Sequence, residues 1–195
     1  MKKFLVFTLA LACALTMFAC KGDEALDAFV AASEATNPAV VVVDTTFKTA
    51  LGDLKSKTTT TYNEDGSFSI VYSYNRMYSS DEGAADETLA TVSGTVNCDA
   101  NGNYTGDTAA FTGTASANSG AKINLAAKRL EEYSVSEDGN TLCATVKAEN
   151  TAAILGVEIG SDVTLTAIKS ADKIVSFTVE YTVDLGTVTI VCSYR

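Results

Sequence analysis

From residue 39 to the C-terminus, apolar and polar residues alternate with a period of two, cut at fairly regular intervals by clusters of turn residues. That is the pattern of half-buried β-strands. It is clearest in the last third, where residues 162–168, 173–183 and 187–194 predict three strands joined by Ala171-Asp172 and Asp184-Leu185-Gly186. In the middle strand Val175, Phe177, Val179, Tyr181 and Val183 face one way, and Ser176, Thr178, Glu180 and Thr182 the other. In the last, Val188, Ile190, Cys192 and Tyr194 form the apolar side. The implied arrangement is an antiparallel meander with one buried and one wet face.

Earlier segments follow the same rule. Residues 40–49 place Val41, Val43 and Phe47 on one face. Residues 54–62 form a threonine-rich strand whose Lys55 and Lys57 suit an exposed edge. After the hairpin signal Asn63-Glu64-Asp65-Gly66, residues 67–78 align Phe68, Ile70, Tyr72, Tyr74 and Tyr78. An acidic loop over 79–87 leads to a strand over 88–98, with Ala90, Val92, Val96 and Cys98 on one face, and a turn over 99–103. Residues 104–117 read as a weakly patterned strand, and 134–136 pair with 140–147 through Glu137-Asp138-Gly139. Three segments carry helical spacing instead. In 23–36, Leu26, Phe29 and Val30 make a narrow apolar face that Asn37-Pro38 ends. In 125–133, Ala126, Leu130 and Tyr133 predict a short helix, and 150–155 predicts another, capped by Asn150 and closed by Gly156. The expected fold class is mainly β (α+β): a curved antiparallel sheet or half-barrel of about ten strands, with an N-terminal helix and one or two short helices.

The first twenty residues are different. Lys2 and Lys3 precede 16 uncharged residues, 4–19, which lead through Ala19 to Cys20. A basic start, an apolar run and a small residue at the cut form a secretion signal. The run falls short of the ~20 residues that span a bilayer. The Ala19-Cys20 junction resembles a bacterial lipoprotein signal, which implies that Cys20 carries lipid and becomes the mature N-terminus. The expected organisation is a signal peptide over 1–19, a lipidated cysteine and tether over 20–24, and a single antiparallel β domain over 25–195. The expected location is the bacterial cell envelope, lipid-anchored to a membrane and facing outside the cytoplasm. Ordinary cleavage and an uncleaved anchor are the alternatives.

Charge narrows the partners. Removal of 1–19 leaves 176 residues, one domain's worth, with a net charge of −12. That repels nucleic acid, whose binding rests on cationic contacts to phosphate, and it offers no basic patch to anionic lipid. The membrane link must come from the lipid on Cys20. There is no histidine and no tryptophan. A Ser-His-Asp arrangement is therefore impossible, and nothing singles out a carboxylate pair for glycoside hydrolysis. No enzyme activity, cofactor or metal is expected. Cys98, Cys143 and Cys192 lie far apart without histidine, which argues against zinc. Their odd number permits at most one internal disulfide, and no structural disulfide is the favoured reading. Asp99-x-Asn101-x-Asn103 opens like a calcium loop, but Tyr104 and Ala110 stand where glycine and glutamate belong, so a hairpin turn is the better reading.

The order of elements, one helix, a long meander, a helical interruption and three closing strands, resembles bacterial lipoprotein half-barrels of the LolA-like and LppX-like kind. The likeness is strongest over 133–194, where Glu137-Asp138-Gly139-Asn140-Thr141-Leu142 leads into a strand, 150–156 forms a short helix and 173–181 precedes the final strand. The resemblance implies a sheet around an apolar cavity that carries lipid or acyl chains. Its expected lining is Phe68, Ile70, Tyr72, Phe177, Val179 and Tyr181. The stripe Tyr72, Tyr74, Tyr78 reads as an aromatic wall or as ordinary core. Two functions follow: a carrier or sensor of an apolar ligand, and a surface interaction lipoprotein with a solid core and no small-molecule ligand.

Overall fold

The computed structural model describes residues 23–77, 89–111 and 122–195. The expected signal peptide, Cys20, Tyr78, the expected acidic loop 79–87 and most of the second half of the expected strand 104–117 lie outside these residues. Helix α1 (Asp23–Ala35) is followed by β1 (Val40–Thr49), β2 (Gly52–Tyr62), β3 (Phe68–Met77), β4 (Leu89–Cys98) and β5 (Tyr104–Gly106). Helix α2 (Thr108–Phe111), a 3-10 turn (Ala127–Arg129), β6 (Glu131–Val135), β7 (Thr141–Val146) and helix α3 (Ala148–Leu155) come next. The chain closes with β8 (Val163–Ser170), β9 (Lys173–Val183) and β10 (Gly186–Tyr194). The ten strands form one open sheet in the order β5-β4-β3-β2-β1-β10-β9-β8-β7-β6. The fold is mainly β, as expected. By compactness the chain divides into Met1–Asn37 with Lys122–Val179, and Pro38–Ala121 with Glu180–Arg195.

The first unit is a packed core under a helix. Register pairs Leu142 with Ala167, Ala144 with Leu165 and Val146 with Val163, and all six are buried. Large residues facing small ones are how neighbouring layers interdigitate. Helix α1 buries Leu26, Phe29 and Ala32, together with Ser33 and Thr36 just beyond its end. Both hydroxyls have partners. Ser33 Oγ donates to Val30 O and accepts from Leu125 N at 3.2 Å. Thr36 Oγ1 donates to Ala32 O and accepts from Ile174 N at 2.9 Å. A buried backbone N–H without a partner is costly, so each hydroxyl fixes the helix against a neighbouring segment.

Four local expectations are corrected. Residues 125–133 form only the 3-10 turn and then β6, because β7 offers their backbone a ladder from Glu131 to Val135, and helix propensity is a weak prior against tertiary pairing. Glu132, at φ 44°, marks the irregularity in that pairing. The strand predicted over 104–117 stops at Gly106, φ 93°, and α2 begins at Thr108. A Cβ at Gly106 would collide with Thr95 O, so the turn requires glycine. Strand β2 is not an edge; it lies between β1 and β3. Lys55 and Lys57 are exposed because they stand on the polar face, where Lys57 Nζ meets its cross-strand partner Asp44 at 3.2 Å. Asn150 does not cap α3. Lys147 holds the cap position without a side-chain bond, and Ala148 N donates to Asp162 Oδ1 at 3.0 Å. Gly156 closes the helix in the left-handed conformation, as predicted.

Candidate functional site

The second unit carries an aromatic and aliphatic face. The registers align Phe47, Leu54 and Val188 in one row. Successive rows hold Thr45, Ser56, Tyr74, Val92 and Ile190, then Val43, Thr58, Tyr72, Gly94 and Cys192, then Val41, Thr60, Ile70, Val96 and Tyr194. Tyr62, Phe68 and Cys98 complete it. The opposite face holds Thr46, Lys55, Lys57, Thr59, Ser69, Ser73, Thr91, Ser93 and Asn97, which follows from the two-residue period. The face is covered from its middle toward the end away from the β1–β2 turn, where Val41, Thr60, Cys98 and Cys192 are buried as well. Ile70, Tyr72 and Val96 form its buried cluster, with Phe68, Tyr74 and Val92 packed against it half-buried. Phe47, Leu54, Val188 and Ile190 are half-buried too.

Tyrosine hydroxyls and ring contacts fix this face. The ring of Tyr72 stacks on Tyr74 at 6.2 Å between centroids, and Phe68 meets Tyr62 at 5.9 Å and the edge of Tyr104 at 6.2 Å. Tyr72 OH donates to Asp107 O at 3.1 Å. Gly94, across the ladder from Tyr72, makes room for this: a Cβ there would sit 2.5 Å from Tyr72 OH and 2.8 Å from the Asp107 side chain. Asp107 Oδ2 in turn accepts from Thr95 N at 3.0 Å. Desolvation, then Asp107 and Tyr74, push the Tyr72 phenol above its ordinary range. Burial and nearby Cys192 do the same for Tyr62, and burial for Tyr181. The Cys192 thiol is pushed up to about 12 by burial, so it carries no thiolate at neutral pH and is chemically quiet. These groups stay neutral and hold an apolar surface; none is poised for acid–base work.

Of the six residues expected to line a cavity, Phe68, Ile70 and Tyr72 come together here. Tyr181 is half-buried in the same unit, whereas Phe177 and Val179 are buried in the first unit. The sequence reading missed Phe47, Leu54, Val188, Ile190 and Val92 as members of one surface with them. Each strand's alternation was visible; the register that sets the strands side by side was not.

The turn at Asp99 uses its carboxylate internally: Oδ1 accepts from Asn101 N and Asn103 N, and Oδ2 from Asn103 Nδ2, all at 2.9 Å. Those hydrogen bonds hold Asp99 below the usual carboxylate range, those from Asn103 most. Asp65 and Asp138 are lowered in the same way, chiefly through Ser67 and Ser136. Among the described residues no group of three metal-ligating side chains comes together. No helix among them is long and apolar enough to cross a membrane. Cys98 and Cys192 are buried thiols, and half-buried Cys143 lies on the side of β7 away from Leu142, with its Sγ 3.8 Å from Thr166 Oγ1.

No protein-family model matches the sequence, and no curated protein matches it. Among solved structures, LprF from Mycobacterium bovis is similar at 14% identity and a TM-score of 0.49, over 88% of this chain and 92% of that one.

Proposed function

We propose that the protein is a lipid-anchored lipoprotein of the bacterial envelope that binds an apolar ligand, a lipid or acyl chain, without catalysing a reaction. The observation that carries the ligand reading is the apolar face of the second unit, buried at Ile70, Tyr72 and Val96 but half-open at Phe47, Leu54, Phe68, Tyr74, Val188 and Ile190. Ligand sites are mostly apolar, as this face is. The packed first unit supports the second reading, an interaction lipoprotein with a solid core. The anchor reading rests on the basic, apolar, Ala19-Cys20 order. With only Lys21 and Gly22 between Cys20 and α1, the chain between them can span at most about 10 Å.

Both halves are testable. Cells expressing the full chain with labelled palmitate should label it, and Cys20→Ser should remove the label; label retained by Cys20→Ser contradicts the anchor. Phe68→Ala combined with Tyr74→Ala should weaken uptake of an apolar fluorescent probe, measured at equal folded fraction. Unchanged uptake favours the interaction lipoprotein.

A further inference from the structure

Two hairpin tips of the second unit are built alike. The turn between β1 and β2 presents Leu51 at 78% exposure, and the turn between β9 and β10 presents Leu185 at 74%, the two most exposed large apolar residues among those described. Register places the tips side by side, because Thr49, next to the first turn, pairs with Gly186, next to the second. Two strand spacings, about 10 Å, separate neighbouring hairpins. Both tips are held firmly. Thr49 Oγ1 accepts from Leu51 N at 3.1 Å and donates to Gly52 O at 2.8 Å, and the Gly186 backbone lies so close to Lys48 O that no Cβ fits. Behind the leucines stand Phe47, Leu54 and Val188, the first row of the apolar face.

We propose that Leu51 and Leu185 dip into a lipid bilayer and seat the end of the apolar face against the membrane. This rests on the lipid-anchored, ligand-binding reading above. A protein partner or a second copy needs about 800 Å² from each side, far more than two protruding leucines offer. A fluid bilayer needs no shaped complement. The charges beside the tips are balanced, Lys48 and Lys55 against Asp53 and Asp184, so insertion is apolar and insensitive to anionic lipid. Two leucines bind a bilayer weakly from solution, so their insertion calls for the lipid anchor proposed above to hold the chain at the membrane.

The chain has no tryptophan, so single-tryptophan variants report position directly. Full-length chain carrying Leu51→Trp, Leu185→Trp, Val71→Trp or Phe68→Trp is reconstituted with vesicles of brominated phosphatidylcholine. Val71 is exposed on the polar face, and Phe68 lies at the far end of the apolar face from the tips. The expected result is loss of emission for both tip variants, with Val71→Trp unchanged; Phe68→Trp scores the ligand reading separately, since lipid held by the apolar face quenches it and an empty face leaves it bright. Tips as bright as Val71→Trp overturn the proposal. Quenching that includes Val71→Trp assigns the bromines to general coating, and quenching at one tip to a single contact; each overturns it. Flotation of the same samples scores the anchor separately. Floating chain with bright tips overturns tip seating alone, and non-floating chain with bright tips overturns both.

Discussion

Phe29→Ala should lower the free energy of unfolding by about 3–5 kcal/mol, the range for truncating a buried aromatic residue. Phe29 is fully buried on α1, between Leu26 and the Ala32–Ser33 turn. The Lys169 ammonium sits 5.6 Å from its ring centroid, close enough for a cation–π contact. The surroundings have little freedom to collapse into the space left behind. The helix is fixed beyond Phe29 by the Ser33 and Thr36 hydroxyls, and by Lys122 Nζ donating to Glu34 O at 3.0 Å. Asp27→Ala, on the exposed face of the same helix, should cost under about 0.5 kcal/mol. Urea melts of the two variants check the pair. Similar losses would mean that α1 does not cover the first unit's core as described.

The second large effect is expected at Phe177→Ala. Phe177 and Val179 are 3% and 1% exposed on β9, while Thr178 between them is only half-buried. Period-two spacing puts Phe177 and Val179 on one side of the strand. Truncation of Phe177 should cost about 3–5 kcal/mol, and Thr178→Ala under about 0.5 kcal/mol. An open ligand cavity at Phe177 would instead make its truncation mild in stability and costly for probe binding. Denaturant melts with and without an apolar probe separate these cases. Equal losses for Phe177→Ala and Thr178→Ala would mean that the side-chain alternation of β9 is wrong.

Strands with clean alternation were legible in the sequence: β3, β9 and β10 fall within two residues of their predicted spans, and Asn37-Pro38 marks the end of α1. The misreadings have physical causes. Residues 125–133 carry charges at helical spacing, but Leu125 at their start and Ile123 just before them are buried, and the β7 ladder decides the backbone. Lys55 and Lys57 look like edge residues because a polar face and a sheet edge both tolerate lysine; only the strand order distinguishes them. The cap on α3 comes from Asp162, twelve residues past Asn150 and invisible to local pattern. Its hydrogen bond with Lys147 Nζ at 2.8 Å is the largest cause holding the Asp162 carboxyl below its usual range. The candidate site was half legible. Phe68, Ile70 and Tyr72 stand out as a stripe, whereas Phe47, Val188 and Ile190 join them only through the β1–β10 and β1–β2 registers. Gly94 and Asp107, which shape the Tyr72 site, carry no sequence signal of their own.

Native mass spectrometry of the full chain, extracted gently from membranes, tests the central proposal most directly. A lipid attached covalently to Cys20, as proposed, would persist under denaturing conditions, whereas one held by the apolar face would be lost. Bound lipid should therefore appear as added mass in the native spectrum that vanishes on denaturation. Identical native and denatured masses would contradict the ligand proposal.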